Sequence, residues 1–142
     1  GDSGYDANIQ HGLVAAISDQ TSAIRWNNGT NKITGAKGVV IGTGFANTNS
    51  IISAQSETTT SYAAGLARAY KGGGYDDWFL PSKDELYKLY INKVIIGGFV
   101  NTNYWSSSEK DFEFAYKLNF TNGDQNANNK VNAFYVRAIR AF

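Results

Sequence analysis

Apolar residues in this chain come in short, broken runs. Leu13 to Ile17 and Ala23 to Trp26 are two runs of strand length, the second closed by the turn-forming Asn27-Asn28-Gly29-Thr30. From Thr30 to Gly44 the recurring glycines predict loop around a brief Val39-Val40-Ile41 segment. Ala46 to Ala54 is compatible with a short helix. Thr59 to Tyr70 reads as a stronger one, with Tyr62, Leu66 and Ala69 at helical spacing and Gly72-Gly73-Gly74 ending it.

The clearest local signal is Tyr75-Asp76-Asp77-Trp78-Phe79-Leu80-Pro81-Ser82-Lys83-Asp84-Glu85-Leu86. An apolar run meets the chain's only proline, and Ser82 with Glu85 three residues later forms a capping box that opens a helix over about Lys83 to Asn92. Leu86, Leu89 and Tyr90 share one face of that helix. After Asn101 asparagines recur among aromatic residues. The alternation in Phe114-Ala115-Tyr116-Lys117-Leu118-Asn119-Phe120 predicts a strand with two unlike faces. Thr121 to Asn132 is expected to be a polar hairpin loop, and Tyr135 to Ala141 the last strand. The polar residues Gly1 to Gln10 read as a linker remnant or frayed end, leaving residues 11–142 as one domain. A length of 142 residues suits a single module with a sizeable core.

Composition removes several function classes. With no cysteine there is no disulfide framework and no thiolate metal site. A formal charge of +1 gives no polycation to be steered to nucleic acid, so an anion site has to be a local patch. No apolar run approaches the roughly 20 residues that span a bilayer, so no membrane insertion is expected, and the chain reads as a soluble piece of a longer exported protein.

Three separated blocks carry a family resemblance: the Tyr75 to Leu86 run, Tyr104-Trp105-Ser106-Ser107-Ser108-Glu109, and the closing Tyr135-Val136-Arg137-Ala138-Ile139-Arg140-Ala141-Phe142. Together, and in this order, they resemble the bacterial domain family found at the C-terminus of the Legionella collagen-like adhesin, Lcl. The resemblance runs from about His11-Gly12-Leu13-Val14-Ala15-Ala16 to the final phenylalanine. Members usually carry an apolar Gly-Gly-x-x-Phe-Tyr strand just upstream, of which only Tyr5 is a trace here. The resemblance implies an α+β, C-type-lectin-like fold, with two main helices packed on short twisted antiparallel sheets and long loops. It also implies a homotrimeric adhesin head, secreted or displayed on the bacterial surface in association with the outer membrane. Its expected partners are sulfated glycosaminoglycans such as heparin, heparan sulfate or chondroitin sulfate, in host attachment and biofilm. A collagen stalk, if any, lies outside this chain.

Catalysis finds little to work with. His11 is the only histidine, which excludes a multi-histidine metal site, and Ser106-Ser107-Ser108 has no visible base. Oxidases of the formylglycine-generating type share the lectin-like fold but need cysteines. No enzyme and no cofactor are expected. Asp76 and Asp77 are weak calcium candidates, since adjacent carboxylates also serve as turn and cap acceptors. The Glu-Pro-Asn and Gln-Pro-Asp triplets of calcium-dependent sugar binders are missing.

For a polyanion, the expected contacts are Lys83, Lys88, Lys93, Arg68, Lys71, Lys117 and Lys130. Arg68, Lys71 and Lys93 have a second explanation in the helix dipole, which favours cations at helix C-termini. Arg137 and Arg140 are an odd number of positions apart, so one is expected to be buried against a carboxylate such as Glu109 or Asp77 and the other exposed. Trp78 and Trp105 are expected in the core, leaving Tyr116, Phe134 and Tyr135 as ligand-facing aromatics. Scattered cations bind sulfate weakly one at a time, and three tethered copies raise avidity by roughly 100-fold or more. A protein-binding or neutral-sugar module with a loop-borne site is the competing reading.

Overall fold

The computed structural model describes residues 12–56 and 59–142; the stretch Gly1 to Gln10 and His11 lie outside the described residues. Strands β1 (Leu13–Ala15) and β2 (Thr21–Ile24) precede helices α1 (Gly44–Gln55) and α2 (Ala63–Ala69) and a 3-10 turn at Gly72–Gly74. Helices α3 (Lys83–Ile91) and α4 (Lys93–Ile96) follow, then strands β3 (Asn103–Glu109), β4 (Phe114–Asn119), β5 (Gln125–Asn129), β6 (Phe134–Val136) and β7 (Ile139–Ala141). The first and last strands pair antiparallel, Leu13 opposite Ala141. The other five form a sheet in the order β2-β6-β3-β4-β5.

Helix α3 begins where the capping box places it. Ser82 Oγ accepts from the Glu85 backbone N–H, and Glu85 Oε1 accepts from the Ser82 N–H at 2.8 Å. Glu85 is fully buried because its second oxygen accepts from Gly42 N at 2.9 Å. A Cβ at Gly44 would come within 2.2 Å of Glu85 Oε1, so the first residue of α1 has no room for a side chain.

Helices pack on the sheet through two apolar clusters. One gathers Trp26, Ile51, Tyr62, Trp78 and Trp105, and the other Phe79, Leu86, Leu89, Tyr104, Leu118 and Phe120. All three indole N–H groups find carbonyls: Trp26 donates to Ser106 O, Trp105 to Ile24 O and Trp78 to Gly72 O. Both expected core tryptophans, Trp78 and Trp105, are therefore buried and satisfied. Strand β3 is central, so its serines are buried from both faces. Ser106 Oγ donates to Tyr116 O and Ser108 Oγ to Gly38 O, so these hydroxyls serve backbone groups.

Several expectations are corrected. The sheet is mixed, because β3 and β6 run parallel. The segment from Thr59 to Tyr70 is helical only over Ala63–Ala69, since Tyr62 is extended (φ −145°, ψ 163°) as its ring enters the core; the longer helix is α1. The polar stretch from Thr121 to Asn132 contains a strand, β5, whose ladder with β4 pairs Phe114 with Asn129 and Leu118 with Gln125. As an edge strand it needs backbone partners more than apolar side chains. Tyr135 to Ala141 is not one strand: the chain leaves the larger sheet at Val136 and joins β1 at Ile139. Arg137 forces the break. Its buried guanidinium donates to Asp19 at 2.8 Å and to the carbonyls of Ala16, Gly97 and Gly98, and lies 4.1 Å from the Phe99 ring centre.

Candidate functional site

The expected cations fall into different environments. Lys130 is fully buried. Its ammonium donates to Glu109 Oε2 at 2.7 Å, Lys32 O at 2.9 Å and Phe112 O at 3.1 Å, and it faces the Trp26 ring. Glu109 completes the arrangement by accepting from Thr34 N, Thr34 Oγ1 and Gly35 N. Burial alone would raise the Glu109 pKa, but hydrogen bonds from Lys130 and Thr34 outweigh it and hold the carboxyl below its ordinary value. Lys130 therefore presents no surface to a ligand. Lys117 is also buried; it donates to Asn103 Oδ1, and burial lowers its pKa.

Arg68 donates to Trp78 O at 2.9 Å and Asn49 Oδ1 at 2.8 Å and covers the Phe45 ring, so it is half-buried structural material. Lys93 reaches Phe120 O at 2.6 Å and Asn101 Oδ1. Of the two arginines expected to divide between interior and surface, Arg137 is the buried one but meets Asp19 rather than Glu109 or Asp77, and Arg140 is only partly exposed. Arg140 pairs with both oxygens of Asp77, at 2.7 and 3.2 Å, and stacks on the Tyr75 ring at 3.6 Å. Asp77 is one of the two carboxylates expected from sequence. The Arg140 hydrogen bond lowers the Asp77 pKa, while the same bond raises that of Arg140. This engagement weakens Asp77, though not Asp76, as a calcium ligand, and no group of three or more acidic or histidine side chains converges among the described residues.

Lys71, Lys83 and Lys88 keep exposed or partly exposed side chains. Lys83 opens α3 and its ammonium lies 4.8 Å from the Tyr116 ring centre. Its backbone N–H donates to Ser108 Oγ, which donates on to Gly38 O, and Gln125 donates to its carbonyl. Those bonds knit the start of α3, the end of β3 and the loop before α1 into one corner. Lys37 and Lys110 stand on the same corner, Lys37 Nζ donating to Lys110 O at 3.2 Å and lying 3.6 Å from Glu109. Sequence reasoning missed these two lysines, since nothing local ties position 37 to position 110. Exposed and partly exposed lysines beside a partly buried tyrosine can hold a sulfate or carboxylate group near an apolar sugar face.

The family model of the Lcl C-terminal domain matches residues 15–140. This chain belongs to that family. No curated protein matches it. As an Lcl C-terminal domain it is a non-catalytic adhesin-type module, consistent with a secreted, extracellular setting. No helix among the described residues is long and apolar enough to cross a membrane.

Proposed function

We propose that this Lcl C-terminal domain is the head of a homotrimeric bacterial surface adhesin that captures sulfated glycosaminoglycans during host attachment and biofilm growth. Family membership carries the reading. The corner bearing Lys37, Lys83 and Lys110, with Lys88 farther along α3, supports it as the place where exposed cations and an aromatic ring stand together. Lys71 is the remaining exposed member of the expected set; Arg68 and Lys93 contribute residual positive potential, and Lys117 and Lys130 act through the fold. A C-type-lectin-like architecture is part of the proposal, supported by paired terminal strands and by helices packed on short sheets with long loops between them.

Heparin-column retention in a salt gradient tests it. Electrostatic capture weakens as salt rises, because screening and counterion release act on exposed charges first. Lys83→Ala with Lys88→Ala is expected to elute at lower salt with an unchanged circular dichroism spectrum. Unchanged elution of the folded double variant would remove this corner as the binding face.

A further inference from the structure

A cleft of about 310 Å³ opens between β1, β7 and the turn after α2, lined by Val14, Ile17, Tyr70, Tyr75, Trp78 and Arg140. Its size is at the lower end of the roughly 300–1,000 Å³ typical of ligand sites, which suits a side chain better than a polymer. Ile17 is 90% exposed and Tyr75 50%, so the cleft has an uncovered apolar rim. Two of its polar wall groups are already partnered: Trp78 Nε1 donates to Gly72 O, and Arg140 is held by Asp77. An occupant gains chiefly by burying an apolar ring against the uncovered rim. With Arg140 and Asp77 neutralising each other, the charge beside the cleft leans positive through Arg68, which donates to Trp78 O, and Lys71 next to the lining residue Gly72, against Asp76.

The β3–β4 turn of the same chain carries an exposed aromatic ring of side-chain size. Phe112 stands 50% exposed between Asp111 and Glu113, both exposed as well. The backbone of this turn is anchored. Asp111 Oδ1 accepts from the backbone N–H groups of Glu113 at 2.9 Å and Phe114 at 2.8 Å, and the buried Lys130 ammonium donates to the Phe112 carbonyl. A ring carried on an anchored turn costs little backbone freedom on docking, and its flanking carboxylates complement the basic rim.

We infer that Phe112 of one copy docks into the Tyr75–Trp78 cleft of a second copy, with Asp111 and Glu113 facing the rim that carries Lys71. The contact is head to tail, because knob and cleft are different surfaces. Such contacts close into rings when the rotation between copies closes, and otherwise continue as open filaments. This deepens the oligomer reading above and rests on it, naming the surfaces that would join the copies.

Sedimentation equilibrium over a concentration series tests the contact. The wild-type chain is expected to exceed the mass of one chain, and Phe112→Ala to associate about 10-fold or more weakly, as loss of a central aromatic anchor does. Ile17→Asp, at an exposed position outside any strand, is expected to do the same by setting a carboxylate against Asp111 and Glu113. Mixing the two folded variants restores one intact interface, the Phe112→Ala cleft receiving the Ile17→Asp knob, so a one-to-one dimer forms. A wild-type chain of single mass, a Phe112→Ala chain that associates as wild type, or a mixture that stays monomeric would each overturn the docking. The glycan reading fails separately: heparin retention unaltered in the lysine variant leaves these masses untouched, and a Phe112→Ala chain that still forms trimers leaves the oligomer standing without this contact.

Discussion

Replacing Lys130 by methionine keeps most of the aliphatic stem against Trp26 and removes the charge from a fully buried site. Glu109 then loses its 2.7 Å ion pair, and the carbonyls of Lys32 and Phe112 lose a donor. Breaking a buried pair by removing one partner costs about 3–5 kcal/mol, because the surviving charge stays desolvated. Here the lower end applies. Glu109 still accepts from Thr34 N, Thr34 Oγ1 and Gly35 N, and the Lys37 ammonium lies 3.6 Å away. A loss of about 3 kcal/mol, divided by an unfolding entropy of roughly 2.1 cal/mol/K per residue, lowers Tm by about 10 °C. Differential scanning calorimetry with urea titration reads both quantities, and Glu109→Gln in the same background closes a double-mutant cycle. Heparin retention at a temperature where the variant is folded is expected to be unchanged, because Lys130 offers no surface. A stability loss under about 1 kcal/mol, the scale of an exposed ion pair, would refute the argument that this pair is desolvated. Lost heparin retention in the folded variant would return Lys130 to the binding face.

Two further outcomes follow from the same geometry. Glu109 and Asp77 have folded pKa values below the ordinary carboxylate range, so their contribution is fully present above the unfolded value of about 4.3 or less and is lost as pH falls through the folded values; acid titration of stability is expected to be flat near neutrality and to fall below about pH 4, and a decline beginning near pH 6 would implicate other groups. Ser82→Ala removes the acceptor for Glu85 N and the donor to Val40 O, and is expected to cost about 1–2 kcal/mol by urea unfolding; a neutral result would mean that the capping box is not maintained in solution.

Features written within a few residues were legible before any tertiary structure. The capping box needs only Ser82 and Glu85 one turn apart, and the alternation from Phe114 to Phe120 gave β4 almost to the residue. The family was legible too, because its separated blocks keep their order. A polar edge strand such as β5 left no comparable signal, since its backbone ladder to β4 does not depend on which side chains it carries. The split between β6 and β7 was equally hidden, as it depends on Arg137 finding Asp19 and three carbonyls far away in the chain.

Charge shows the same division most sharply. Sequence determines how many cations the chain has and roughly which elements bear them, but a lysine in a polar loop reads the same whether it meets water or a carboxylate. Tertiary structure decided that Lys130 and Lys117 are interior, that Arg140 belongs to Asp77, and that Lys37 and Lys110 join Lys83 at one corner. The physical reason is distance along the chain. Local periodicity and capping act over one or two turns, whereas desolvation and ion pairing are fixed by residues such as Thr34, Glu109 and Lys130, which meet only after the sheet has closed.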